Sequence, residues 1–406
     1  MTNVHYVFAI VGAGPAGTTC ANALLMGGAA SSVLIDKAHF PRDKPCGDGL
    51  GPGVISIFDE LGLQDILSSH LRVMQMSITG PFGGRLLFDA TELRRPSPLG
   101  YVIPRRVFDH ALLTAALGRG CADMTGWSLE NAALIDRRWH LTLAHSETSE
   151  SRLVTADVLI GADGAASKVR RVLGQRFNRT KNSAIALRMY AKATPDSFAR
   201  QRQDNVKGLP PLGYGWAFST GKEVVNVGVV VDLTAYRSRT LHLKQIFAIY
   251  QASLPDSFAY DLQSGRSSIL PLASEMPQLA FPAAHAALIG DAASMINPLT
   301  GEGIFYGMCA GLRLGKKLAA EAKHSGNFST ALAAYEREFR RSFTAHFRGN
   351  SYLRNVLRIP RLSERMIAAC AKDRDLCCDF IEYMMGNVSG VSAKPLHRLA
   401  LKTVLA

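Results

Sequence analysis

The chain has 406 residues, 47 % of them apolar and 19 % charged, a balance that supports a large packed core and excludes a disordered or low-complexity protein. Lys and Arg exceed Asp and Glu by 13, which directs attention to anionic partners: a nucleic acid, a membrane face or a phosphorylated substrate. Seven scattered cysteines with no C-x-x-C pair exclude a disulfide scaffold and a zinc ribbon, and they suit a reducing cytoplasm.

Val7–Val11 is a short apolar run that ends in Gly12-Ala13-Gly14-Pro15-Ala16-Gly17. A helical pattern follows from Pro15 to about Met26, and Ser32–Ile35 reads as a second strand ending at Asp36. Strand, glycine turn, helix, strand and acid make the opening βαβ unit of a dinucleotide fold. A loop follows around Pro41–Gly53, then a helix near Ile55–Leu61. Val73–Thr79 and Arg85–Phe88 read as strands about the Gly83-Gly84 turn, Val107–Leu117 as a helix and Val154–Ile160 as a buried strand.

From about Ser183 to Leu270 the pattern changes. The β-rich segments Ser183–Ala191, Tyr214–Ser219 and Val224–Val231 predict a separate antiparallel sheet. Ala286–Ile289 returns to a buried strand, Gly303–Ala320 reads as a long helix, and the chain is helix-like from Phe328 onward. Arg341–Ala406 carries eleven Lys/Arg against five Asp/Glu, nearly half of the whole excess. No run of about 18 apolar residues predicts a membrane span, and Met1–Tyr6 carries no basic residue of the kind that opens a signal peptide. The expectation is a cytoplasmic protein, with a peripheral place at the inner membrane face left open.

Three motifs carry chemistry. Gly12-x-Gly14-x-x-Gly17 gives the tight turn, the close approach to a pyrophosphate and the helix–strand packing of a dinucleotide site, with Asp36 placed to meet ribose hydroxyls. Gly161-Ala162-Asp163-Gly164 follows a buried strand, and Ser167 is placed to cap a helix near Lys168. Gly290-Asp291-Ala292-Ala293 also follows a strand, leading to Asn297-Pro298-Leu299-Thr300-Gly301-Glu302-Gly303-Ile304. Asp291 is there placed for ribityl hydroxyls, and the backbone of Gly301 and Gly303 lies ahead of a long helix.

These motifs together resemble the flavoprotein superfamily typified by p-hydroxybenzoate hydroxylase. The nearer resemblance is to the geranylgeranyl reductase family, which includes menaquinone-chain reductases. It is carried by Phe40-Pro41-Arg42-Asp43-Lys44-Pro45-Cys46-Gly47-Asp48-Gly49-Leu50, by Pro211-Leu212-Gly213-Tyr214-Gly215-Trp216-Ala217-Phe218 and by Asn297–Ile304, and it covers about residues 5–320. Phe218 is followed by Ser219 where the family pattern has proline.

The resemblance implies an α/β (α+β) protein: a Rossmann-like FAD-binding domain with an inserted antiparallel-sheet substrate domain and a C-terminal helical region. The FAD-binding domain would be discontinuous, at 1–72, 100–178 and 280–326. The substrate domain would take 73–99 and 179–279, and the helical region 327–406. The implied FAD contacts are Gly12, Gly14, Ala16, Gly17, Asp36, Lys37, Cys46, Gly47, Arg105, Leu129, Asp291, Gly301, Gly303 and Ile304. Arg105 opens an Arg-x-x-Phe-Asp pattern and would touch the pyrophosphate.

The implied activity is reduction of carbon–carbon double bonds in a prenyl chain. NAD(P)H, bound transiently, or a ferredoxin-type donor would be the reductant. Cys46, next to Lys44 in a glycine-rich loop, is the expected catalytic residue, positioning or protonating the substrate. Tyr214, Trp216 and Phe218 alternate on one strand face, the spacing of a sheet core or of a prenyl-binding wall.

The alternative activity is an FAD-dependent monooxygenase that hydroxylates or epoxidises an aromatic or prenylated natural product, because the same fold serves both chemistries. Nucleic-acid binding lacks any supporting motif. No metal site is expected: Cys370, Cys377 and Cys378 read as structural, Met384-Met385 as core or interface, and the eleven histidines show no H-x-x-x-H spacing.

Overall fold

The computed structural model describes residues 4–29, 31–93, 97–192, 201–204, 213–221, 223–238, 242–254, 258–324 and 326–385. Phe8–Val11, Val33–Ile35 and Val158–Ile160 are all buried, as strands covered on both faces must be. They lie side by side in a sheet ordered Ala280–Phe281, Ala286–Leu288, Ser151–Gly161, Val4–Val11, Ser32–Asp36, Ala122–Thr125. Its inner pairs are parallel. The hairpin Trp127–Ile135 and Arg138–His145 adds antiparallel to Ser151–Gly161.

Two backbone approaches fix where this sheet presents its strand ends. Gly12 has φ +108°, and a Cβ there would fall 2.2 Å from the Ala162 carbonyl oxygen, so the first and second motifs touch backbone to backbone. The helices Pro15–Met26 and Ile304–His324 meet at Gly311, where a Cβ would fall 2.3 Å from the Ala16 carbonyl oxygen. This contact holds the starts of both helices at the same edge of the sheet.

A second sheet runs in the order Ala259–Pro271, Ser183–Lys192, Val224–Asp232, Tyr214–Ser219, Gln201–Asp204, Gln75–Thr79, Arg85–Asp89. Only Gln201–Asp204 against Gln75–Thr79 is parallel. Its outer face packs on the helix Leu243–Gln251 through Ile246, Phe247 and Tyr250. A small sheet of Gly49–Leu50, Gly100–Val102 and Arg72–Val73 bridges the two bodies.

Phe339, Phe343 and Phe347 of the helix Phe328–Val356 belong to the same core as the parallel sheet. The last described helices, Pro360–Lys372 and Arg374–Met385, pack instead on Leu86 and Phe88 at the edge of the second sheet. Cys370, Cys377 and Cys378 are apolar filler there, and burial pushes the Cys370 and Cys377 thiols up to about 12. No described helix is long and apolar enough to cross a membrane.

Candidate active site

The cavity between the two sheets holds about 280 Å³. One end is the bare start of the Pro15–Met26 helix, which no side chain caps. Two guanidiniums stand beside its glycine turn: a Cβ on Gly14 would lie 3.6 Å from Arg42 Nη2 and 4.0 Å from Arg105 Nη2. Asp109 fixes both, accepting from Arg105 Nε and Nη2 at 2.6 Å each and from Arg42 Nη1 at 2.8 Å. Burial opposes the Arg105 charge, but the Asp109 carboxylate outweighs it and holds Arg105 protonated.

Asp36 holds the turn itself: its carboxylate accepts the Ala13 and Ala38 N–H groups, each at 2.9 Å. Asp163 does the same for the second motif, accepting from the N–H groups of Lys168 (2.7 Å) and Val169 (3.2 Å). Ser167 caps the short helix that follows, taking the Arg170 N–H at 2.8 Å. In the third motif Asp291 meets Lys44 Nζ at 3.1 Å. Lys44 is therefore engaged by Asp291, and the cation whose charge acts on the Cys46 thiol is Arg105. Burial pushes the half-buried Cys46 thiol up, with Arg105 opposing, so it holds its proton at neutral pH.

The Cys46 loop rests on a buried polar network. Asn226 Nδ2 donates to the Cys46 carbonyl at 2.8 Å and to Asp48 Oδ2 at 2.7 Å, and Trp216 Nε1 donates to Asn226 Oδ1 at 2.8 Å. Tyr190 OH gives Asp48 a further bond at 2.7 Å, and the Arg105 N–H one at 3.2 Å. Burial still raises the Asp48 carboxyl to about 6. Opposite the loop, Tyr214 OH donates to the Thr300 carbonyl at 2.6 Å. Glu302 accepts the Gly51 N–H at 3.0 Å, no described cation pairs with it, and burial lifts it to about 7.

Asn297 holds this segment from behind. Its Oδ1 accepts from the Leu299 and Thr300 N–H groups, and its Nδ2 reaches Tyr306 OH and the buried His346, which burial pushes down to about 4.

Of the residues singled out from sequence, Gly14, Ala16, Cys46, Gly47, Arg105 and Asp291 line the cavity, as do Gly301, Gly303 and Ile304. Tyr214, Trp216 and Phe218 form one wall. Gly12, Gly17, Asp36 and Lys37 lie outside the lining, and the side chain of Leu129, on the hairpin strand Trp127–Ile135, is buried in the core. Met384 and Met385 are core, as expected, packed with Val73, Met76 and Leu99, and this cluster also lines an apolar part of the cavity. Sequence reading passed over Glu302, Asn226 and Arg188 as chemical groups. Only Glu302 carried a signal, a carboxylate inside a glycine-rich turn before a helix.

The arrangement fits FAD. An uncapped helix start, two fixed guanidiniums and the Asp291 carboxylate suit its pyrophosphate and sugar alcohols, and the Cys46 and Gly301–Gly303 segments face the cavity as a cradle for its ring. The family model described as an FAD binding domain matches residues 5–348. The menaquinone reductase of Mycolicibacterium smegmatis is 31 % identical over 373 residues, 87 % of this chain and 84 % of that protein. The digeranylgeranylglycerophospholipid reductase of Methanosphaerula palustris is 26 % identical, covering 83 % and 82 %.

Among solved structures, a geranylgeranyl bacteriochlorophyll reductase-like protein from Thermoplasma acidophilum shares the fold with a TM-score of 0.78 at 19 % identity, covering 99 % of this chain and 97 % of that one. Flavin-dependent halogenases and a monooxygenase share it too. The chain belongs to the FAD-binding domain family and, within it, to the geranylgeranyl reductase-like flavoproteins: it is an FAD-dependent oxidoreductase.

Proposed function

We propose that this oxidoreductase saturates isolated carbon–carbon double bonds in a prenyl chain. The observation that carries the reading is the cavity's polarity. Cys46, Gly47 and Gly301–Ile304 lie at one part of it, and Val73, Met76, Leu99, Met384 and Met385 form an apolar extension. An aromatic wall of Tyr214, Trp216 and Phe218 joins the two. Such an extension suits a flexible hydrocarbon and wastes binding surface on a compact aromatic substrate.

FAD, when bound, supplies the hydride for one alkene carbon. The protein supplies the proton for the other. Cys46 Sγ holds it because burial disfavours the thiolate, and Arg105 stabilises the sulfur once the proton has left. The Asp48–Asn226–Trp216 network keeps the Cys46 carbonyl, and with it the loop, in place. NAD(P)H at the flavin, or a ferredoxin-type donor, would return the electrons. The exposed arginines 358, 361 and 365 suit an anionic membrane face on which such a substrate would be met.

The test is product mass on a panel of prenylated substrates with dithionite-reduced holoenzyme under nitrogen, then with NADPH in air. Gain of two hydrogens without oxygen is the expected result. Gain of one oxygen atom, and only in air, would overturn the reading in favour of a monooxygenase.

A further inference from the structure

One transverse row of the second sheet runs Arg266, Arg188, Gly228, Trp216, Gln203. Residues directly opposite in neighbouring strands point to the same face, and Arg266, Arg188, Trp216 and Gln203 all line the cavity. Two like charges directly opposite destabilise a strand pair, so an arginine pair there calls for a countercharge.

Asp43 supplies half of it. It accepts from Arg188 Nη2 at 2.7 and 2.8 Å, while Nη1 bonds the Ser264 carbonyl at 3.3 Å. Arg188 is 1 % exposed, and its Nε has no partner. Of the described residues with a partnerless buried side-chain polar atom, Arg188 is the one that lines the cavity. Arg266 is exposed at the rim and bonds only the carbonyls of Gln263 and Gly265, with no carboxylate among the described residues. Lys44, the third cation nearby, is neutralised by Asp291.

Asp43 is thus the one described carboxylate bonded to either guanidinium; Asp48 acts on Arg188 only through space and is itself bonded by Tyr190 and Asn226, and one buried Arg188 donor is left open. Ser268, two residues further along the strand and on the same face, and Gln203 add polar groups to the same stretch of wall, and Leu270 begins the apolar part.

We propose that Arg188 and Arg266 form a subsite for a phosphate or diphosphate ester, the charged end of the substrate. The prenyl chain then leads from it along Trp216 and Tyr214. The orientation of the substrate rests on the prenyl reading above; the anion subsite itself does not. Arg188 would give the oxyanion its open Nε–H, and Arg266, which has no carboxylate partner among the described residues, the exchangeable guanidinium at the rim.

The holoenzyme, with its flavin site filled, is titrated with inorganic pyrophosphate and followed by thermal melting, wild type against Arg266→Gln. Arg266 sits at the rim, so this variant keeps the fold. Arg188→Lys, which preserves the charge beside Asp43, is the second variant. A pyrophosphate-dependent rise in Tm that is lost in Arg266→Gln and reduced in Arg188→Lys supports the subsite, whatever the enzyme turns over. Equal shifts in all three proteins, or none in the wild type, would overturn it.

Turnover with dithionite as reductant then assigns the ester. Arg266→Gln is expected to raise KM for a prenyl diphosphate about tenfold more than for the matching prenyl alcohol, the loss of roughly one charge-assisted hydrogen bond. An equal change for both substrates, or a KM effect seen only for NADPH when it replaces dithionite, would overturn the assignment to the substrate. Absence of any prenyl reduction, with the pyrophosphate shift intact, would sink the function proposed above and leave the anion subsite standing.

Discussion

Cys46 and Glu302 both line the cavity, and Tyr214, between them electrostatically, senses both. They differ in how they were visible from sequence. Cys46 lies in a distinctive string, Lys44-Pro45-Cys46-Gly47-Asp48, whereas Glu302 meets its partner Gly51 across 251 positions. Asn226 and Arg188 are hidden in the same way, because their partners Cys46, Asp48 and Asp43 lie 145 to 180 positions away. Residues whose chemistry is local to a turn were legible; those whose chemistry is a long-range meeting were not.

The proton role makes Cys46→Ala a direct test. The variant should keep its yellow colour and flavin stoichiometry while turnover falls by about 10²–10⁴, the usual share of a positioned acid. Full turnover would remove Cys46 from the chemistry.

Glu302 predicts a pH effect. Its folded value near 7 lies above the 4.5 of a free glutamate, so the folded chain binds this proton more tightly than the unfolded chain. That stabilisation is complete below about pH 4.5 and is lost as pH rises through 7. Its size is at most ~3 kcal/mol, and less as water enters the cavity. In the flavin-free protein, Glu302→Gln should match wild-type Tm near pH 4.5 and exceed it at pH 8. A difference independent of pH would rule this out.

At the scale of elements, strands with buried, β-branched runs were readable, and the second sheet's inner strands declared themselves by composition. Several short strands, such as Ala122–Thr125 and Gln201–Asp204, were not, and neither were two longer stretches. The hairpin Trp127–Ile135 and Arg138–His145 turns through Asp136 and Arg137, both at positive φ without a glycine, so the usual hairpin signal is missing. Ala259–Pro271 is a 13-residue strand with three serines and a single β-branched residue, Ile269, so it lacks the usual strand signature.

The crossing of Pro15–Met26 and Ile304–His324 is the element contact on which the site most depends, since both helix starts face the cavity. Gly311→Val would drive side-chain atoms into the Ala16 carbonyl and part the helices. A loss of about 1–3 kcal/mol is expected, with weaker retention of flavin. Urea midpoints and flavin release on dilution measure the two effects. An unchanged midpoint would mean that the crossing has slack the contact distance denies.

Across the whole molecule, the cavity is assembled from residues as far apart as Gly14 and Met385, and its apolar end is lined by a helix packed on the edge of the second sheet. Leu376, Phe380 and Ile381 of that helix are buried with Leu86 and Phe88 of the second sheet, so Met384 is held by packing rather than by a polar contact. Under the prenyl reading, this last described helix would limit how far the hydrocarbon chain extends. Replacing Met384 with Trp adds bulk at that end while leaving the Cys46 segment untouched. Under the prenyl reading, kcat/KM for the longest chain in a homologous series should fall at least about tenfold relative to the shortest, the cost of roughly one to two buried methylenes left in water. Competition between two chain lengths in one reaction, read by product mass, gives that ratio directly. An equal fall for every length would mean that the chain does not run toward the last helix, and that the apolar end serves packing alone.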